Sequence, residues 1–298
     1  MTLVRYEAHE SVAVITVANP PVNALSPGVP GGIIAGLNQA NTDSDIVAVV
    51  LVGEGRGFIA GADIRYFSKP WPKDEPRLGD VIRAFEQSSK PVIAAIHGHA
   101  LGGGLELAMC CHYRVIVPKA MVGQPEVKLG IPPGAGGTQR LPRLAGAKAA
   151  LDMIVSGDPV TAQQAVVLGI CDQLIETELV EGALAFAREV GQTSSPHRLA
   201  RDRTVEVEDS ELFDVKRKQI ERRARGMRAP YACIECVEAA VELPFDDGLA
   251  REREIFEVCV VSDESKAMRH VFFAERAAGK IPGVDKNLER SSFDSAGV

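Results

Sequence analysis

Residues 46–52 form an unbroken apolar run in which most side chains are β-branched. It is too short to span a membrane and lacks the apolar/polar alternation of a strand with one wet face. A strand buried on both faces has this pattern, and it needs cover from elements on both sides. Residues 91–96 and 113–117 repeat the character, and residues 1–17 end in Val12, Val14, Ile15 and Val17. Between these runs lie helix-like stretches. Residues 103–111 start at Gly102-Gly103-Gly104, residues 147–156 follow, and residues 161–168 are capped by Thr161 and stopped by Gly169. Strands alternating with helices define an α/β architecture. From about residue 190 the strand signals cease. Amphipathic patterns at 213–223, 234–242 and 249–260 predict helices. The expected division is a core over 1–190, a linker-like helical region over 191–280 and a flexible end over 281–298.

Composition narrows the partners. With 46% hydrophobic and 24% charged residues in 298, the chain is globular, and its net charge of -7 provides no field for nucleic acid. The basic clusters Lys216-Arg217-Lys218 and Arg222-Arg223 are interleaved with acids such as Glu221 and read as a solvated helix face. No apolar stretch approaches the roughly 18–20 residues of a membrane helix, and no signal-peptide pattern is present, so no membrane partner and a cytoplasmic location are expected. The six cysteines read as reduced thiols. Only Cys233 and Cys236 have metal-like spacing, and without a second pair they read as helix-borne core thiols; no metal is expected.

Chemistry concentrates in three Gly-rich places. Residues 57–64 follow the buried run at 46–52, and their small side chains open the main-chain N–H groups to a ligand. Residues 100–108 form a strand-to-helix junction whose first-turn N–H groups favour an anion or a developing oxyanion. Residues 123–138 are crowded enough with Gly and Pro to argue against regular structure. Each has a plain alternative: a Gly triplet can be only a tight turn, and Glu106 and Glu126 can be solvated acids. Dinucleotide binding is disfavoured because Gly102-Gly103-Gly104 lacks G-x-G-x-x-G spacing.

Taken together, the motifs carry a resemblance. From about residue 3 to 175 the sequence resembles the crotonase (enoyl-CoA hydratase/isomerase) superfamily. The match lies in Asn19-Pro20-Pro21-Val22-Asn23-Ala24, Ala60-Gly61-Ala62-Asp63-Ile64, Lys90-Pro91-Val92-Ile93-Ala94-Ala95, residues 102–106, Gln124-Pro125-Glu126 and residues 133–139. It implies a ClpP/crotonase-like spiral of ββα units followed by C-terminal helices, and an acyl-CoA thioester as substrate. The chain looks most similar to the hydratase part of bifunctional enoyl-CoA hydratase/3-hydroxyacyl-CoA dehydrogenases, whose linker reads like His270-Val271-Phe272-Phe273-Ala274-Glu275-Arg276. A following dehydrogenase domain is therefore expected in the full-length protein, and whether that protein is peroxisomal is left open.

The resemblance also implies a site. The N–H groups of Ala62 and Gly103 would hold the thioester oxygen, Glu106 would activate water, and Glu126 would deliver the C2 proton in hydration of a 2-trans-enoyl-CoA. Ala60, Ala62, Asp63, Ile64 and Arg65 would line the coenzyme A side, with Arg65 near its phosphates. No cofactor is implied, coenzyme A being part of the substrate. Δ3-Δ2 enoyl-CoA isomerisation, which needs Glu126 and the same oxyanion hole, is the competing activity. One departure is local: residues 27–32 are poor in helix formers where the family starts a long helix, so that helix is expected to begin late. The apolar patch at Val271, Phe272 and Phe273 is expected to pack on the core, favouring a monomer or weak oligomer.

Overall fold

The run at 46–52 supplies the middle of a six-stranded sheet in the computed structural model, which describes residues 2–193, 198–205, 207 and 209–278. The strands β1 (Val4–His9) and β2 (Val12–Val17) form an antiparallel hairpin at one edge. Beside β2 lie, all parallel, β3 (Ala48–Gly53), β4 (Val92–Ile96), β6 (Tyr113–Ile116) and the short β9 (Gln173–Leu174). A second sheet joins β5 (His99–Leu101), β7 (Met121–Gly123) and β8 (Val160–Thr161).

The lack of alternation in 46–52 has a direct cause. Val49 and Leu51 point with Ala13, Ile15 and Val17 into the main core, while Val50 and Val52 point with Val12 and Val14 the other way. That second face is covered by α7 (Leu179–Gly191) through Leu184 and Ala187. The first is covered by α1 (Val29–Thr42), α2 (Leu78–Glu86) and α3 (Gly103–Cys110). A two-sided burial of this kind contributes about 1.5–3 kcal/mol per large apolar side chain.

Helix α1 does not begin late. It starts at Val29 and takes Gly31 and Gly32 into its first turn. Packing overrides propensity: a Cβ on Gly32 would stand 2.7 Å from Val4 and one on Gly36 3.2 Å from Ile15, so the glycines bring the helix close to β1 and β2.

The helices α4 (Gly137–Ala145), α5 (Ala147–Ser156) and α6 (Ala162–Val167) complete the core, with Thr161 capping α6 as expected. The remaining helices are α8 (Leu212–Ile220), α9 (Ala229–Glu242), α10 (Phe245–Val260) and α11 (Asp263–Ala278). Cys233, Ile234 and Val237 of α9 enter the main core, and α9 packs on α4, α5 and α10. All six cysteines are free and buried. Two basic residues of α8 are paired, Lys216 with Asp152 at 2.5 Å and Arg217 with Glu238. Helix α11 departs from expectation: Ser265 donates to the Leu129 carbonyl at 2.8 Å, but Val271 is 51% and Phe273 41% exposed, because they rim an open groove rather than pack on the core. Residues 281–298 lie outside the described residues.

Candidate active site

Two tight crossings place the backbone of the site. Asn23, at a positive φ of 54°, donates through Nδ2 to the carbonyls of Glu54, Gly57 and Phe58 and ties the turn after β2 to the loop after β3. The loop then runs beside β5: Leu25 N donates to Gly61 O at 2.9 Å, and Leu101 N donates to Ile59 O at 3.2 Å. A side chain on Gly104 would stand 2.0 Å from Ile59 O, so only glycine lets α3 begin so close to this loop. As a result the amides of Ala62 and Gly103 are neighbours, the Cβ position of Gly103 being 3.1 Å from Ala62 N. The Gly103 N–H is a first-turn donor without a partner inside its helix, and the α3 dipole adds to its field.

The two carboxyl groups face this pair of amides from one cavity of about 530 Å³, which is lined by Ala62, Gly103, Glu106 and Glu126 and walled by Phe67, Trp71 and Phe256. Glu106, 3% exposed, sits one turn into α3, and its Oε1 accepts from Ala135 N at 2.7 Å and Gly137 N at 2.8 Å. Burial pushes its pKa up, although the two amides and Arg140 act against that. Glu126 lies on a 3₁₀ turn, Pro125–Leu129, with Oε1 2.6 Å from the Cβ position of Gly102. Burial, and then the charge of Glu106, push its pKa well above the ordinary carboxylate range. A nearby acid pair with raised proton affinity can keep one member protonated while the other accepts.

Ala60, Asp63 and Ile64 line both this cavity and an adjoining groove of about 1080 Å³, while Arg65 lines only the groove, with Lys128, Phe272 and Arg276. Asp63 caps the turn Ile64–Phe67, accepting from Arg65 N at 3.2 Å. Its side chain also takes Arg65 Nε at 2.8 Å and Arg65 Nη2 at 2.6 Å, and these bonds, with one from Ser26, hold its carboxyl below the usual range. Arg65 is thus fastened to Asp63, its guanidinium still largely in solvent. The loop 123–138 is more ordered than its composition suggested, since it contains the 3₁₀ turn and the start of α4.

The sequence pattern of the family described as Enoyl-CoA hydratase/isomerase matches residues 7–225. The chain belongs to that family. It is 46% identical over 281 residues to "Peroxisomal bifunctional enzyme" of Danio rerio, covering 93% of this chain and 39% of the relative. It is 37% identical over 287 residues to "Peroxisomal fatty acid beta-oxidation multifunctional protein AIM1" of Arabidopsis thaliana, covering 93% of this chain and 40% of that one. The chain thus spans about two fifths of these relatives. Among solved structures, carnitinyl-CoA hydratase from Mycobacterium avium superposes with a TM-score of 0.69 at 26% identity, covering 92% of this chain and 97% of that one. The fold of this enoyl-CoA hydratase/isomerase family member is therefore that of a crotonase with appended helices. Among the described residues no helix is long and apolar enough to cross a membrane.

Sequence reasoning missed the site's outer support. Glu252 of α10, 1% exposed, bonds the loop that holds Glu106. Its signal was an acid one turn before Phe256 on a stripe otherwise suited to burial. Arg140, also buried, donates to Glu86 through Nε at 3.1 Å and Nη2 at 2.6 Å, and to Ala135 O at 3.2 Å. No local pattern links Glu86 to Arg140, because the pairing depends on α2 meeting α4.

Proposed function

We propose that the chain hydrates 2-trans-enoyl-CoA thioesters, as a fatty acid β-oxidation enzyme does. The observation that carries this is two carboxyl groups, buried Glu106 and half-buried Glu126, in one cavity beside the neighbouring amides of Ala62 and Gly103. Water adds at C3 and a proton at C2 while negative charge gathers on the thioester oxygen. The two amides take that charge without reorganising, since both are fixed by backbone crossings. Glu106, anchored through one oxygen, takes a proton from water as the C3–O bond forms. Glu126, with raised proton affinity, delivers the proton to C2. Ala60, Ala62, Asp63 and Ile64 would line the path of coenzyme A into the groove, and Arg65, held on Asp63, would face its phosphates. Coenzyme A arrives with the substrate, and this acid–base chemistry calls for no separate cofactor.

Isomerisation of 3-enoyl-CoA has its own support in Glu126, which has a raised pKa and lies beside the same oxyanion donors. As partner we propose a 3-hydroxyacyl-CoA dehydrogenase part of a longer protein, which would oxidise the hydration product. The family resemblance and the two-fifths coverage of relatives named bifunctional or multifunctional support it. The peroxisomal names of those relatives favour that compartment over the cytoplasm expected from the sequence. The test is loss of conjugated-thioester absorbance with crotonyl-CoA and longer 2-trans-enoyl-CoA. Turnover supports hydratase; none at any chain length, with turnover of 3-enoyl-CoA, assigns isomerase instead.

A further inference from the structure

Four consecutive N–H groups in the loop leading into α4 are shared alternately between two carboxyl groups. Ala135 and Gly137 donate to Glu106 Oε1. Gly136 donates to Glu252 Oε1 at 2.7 Å, and Thr138 donates to Glu252 Oε2 from its N–H at 3.0 Å and its Oγ1 at 2.5 Å. Successive turns of α10 lie along the same segment. Gly248 meets Gln139, Glu252 meets residues 136–138, and Phe256 meets Gly134, where a Cβ would stand 2.4 Å from the ring. Gly136 itself has a φ of +92°. A loop this rich in glycine has little stiffness of its own, so its shape depends on what grips it.

Packing alone does not call for an acid here. Ile255 and Cys259 already bury α10 against Ile131 and Cys236. A second buried carboxyl so near Glu106 is electrostatically costly, and such like-charge arrangements concentrate where chemistry is done. We propose that Glu252 is a positioning residue of the hydratase site: by fixing Gly136 and Thr138 it holds the intervening amides of Ala135 and Gly137 on Glu106. Helix α10, far from the catalytic motifs in sequence, thereby orients the carboxylate that activates water. This rests on the hydratase function proposed above. Glu252 is not among the residues lining the substrate cavity, so it acts on the reaction through the loop that holds Glu106 and through its charge near Glu126.

Glu252→Gln keeps the shape of the side chain but replaces one acceptor by an amide nitrogen that cannot accept. Hydration kcat should fall by up to about 10²-fold, the scale set by misplacing a catalytic group, with KM for enoyl-CoA nearly unchanged. Hydrogen exchange at Ala135 and Gly137, whose amides donate to Glu106 rather than to Glu252, should accelerate. Thr138→Val, which removes only the hydroxyl bond, should give a smaller loss of kcat in the same direction, and Thr138→Ser should restore it. Thr138→Val and its rescue decide the matter if Glu252→Gln does not fold. Wild-type kcat in Glu252→Gln, a change confined to KM, or unaltered exchange at Ala135 and Gly137 would overturn the proposal. A wild-type chain that does not hydrate enoyl-CoA would sink the hydratase function, while the exchange rates would still judge the role of Glu252.

Discussion

Gly102→Ala separates what this backbone does for stability from what it does for the acid pair. Gly102 caps α3 at φ 53° and ψ -128°, a combination nearly confined to glycine. An alanine there costs about 1–3 kcal/mol of strain. At about 2–4 °C per kcal/mol for a chain of this class, Tm should fall by roughly 2–12 °C. The added Cβ would also stand 2.6 Å from Glu126 Oε1. That atom ends a flexible side chain, so the clash is relieved by moving the carboxyl rather than by unfolding. Displacing a positioned acid removes about 10²–10⁴-fold in rate. Gly55→Ala is the control, because Gly55 also has a positive φ, 79°, but nothing lies within 4 Å of its Cβ position. Thermal melts and enoyl-CoA hydration measured on both variants should show comparable losses of Tm but a large loss of rate only for Gly102→Ala. Near-wild-type hydration by folded Gly102→Ala would refute the placement of Glu126 at the reacting carbon.

Three further outcomes are expected. Gly104→Ala puts a Cβ 2.0 Å from the carbonyl of Ile59, which backbone cannot easily vacate, and should lose about 3 kcal/mol or more in denaturant unfolding. Arg140→Met strips Glu86 of its buried partner and should cost about 3 kcal/mol, the low end for a broken buried pair because Arg201 remains on Glu86 at 3.1 Å. Burial, then the charge of Glu106, raise the Glu252 carboxyl from an ordinary 4.5 to about 8. The native state therefore holds this proton more tightly than the unfolded chain. The stabilisation is complete below pH 4.5 and is lost as pH rises through about 8. Melts of wild type and Glu252→Gln between about pH 5 and about pH 9 should show wild type losing ground as pH rises; a stability difference that does not change with pH would mean that Glu252 is ionised throughout.

The sheet was legible because residues 46–52 and 91–96 are buried on both faces, and such burial leaves an unmistakable composition. The catalytic candidates were legible only as a set, since Glu106 and Glu126 stand in ordered motifs around glycines whose spacing the resemblance interprets. Sequence misjudged the start of α1, where glycine's poor helix propensity gives way to close packing on Val4 and Ile15. It also misjudged Phe273 and Val271, because an apolar patch on a helix does not state whether it meets the core or rims a groove. The partners of Glu252 were unreadable for a different reason. Gly136 and Thr138 lie more than a hundred residues away, and only the tertiary fold brings α10 to that loop.

The most direct test is the partition of Glu106→Gln and Glu126→Gln between two reactions on the same enzyme preparation: hydration of 2-trans-enoyl-CoA and isomerisation of 3-enoyl-CoA. Glu106→Gln should lose hydration by about 10²-fold or more while any isomerisation is less affected, and Glu126→Gln should lose both. Equal losses of both reactions in Glu106→Gln would contradict the division of labour between the two carboxylates.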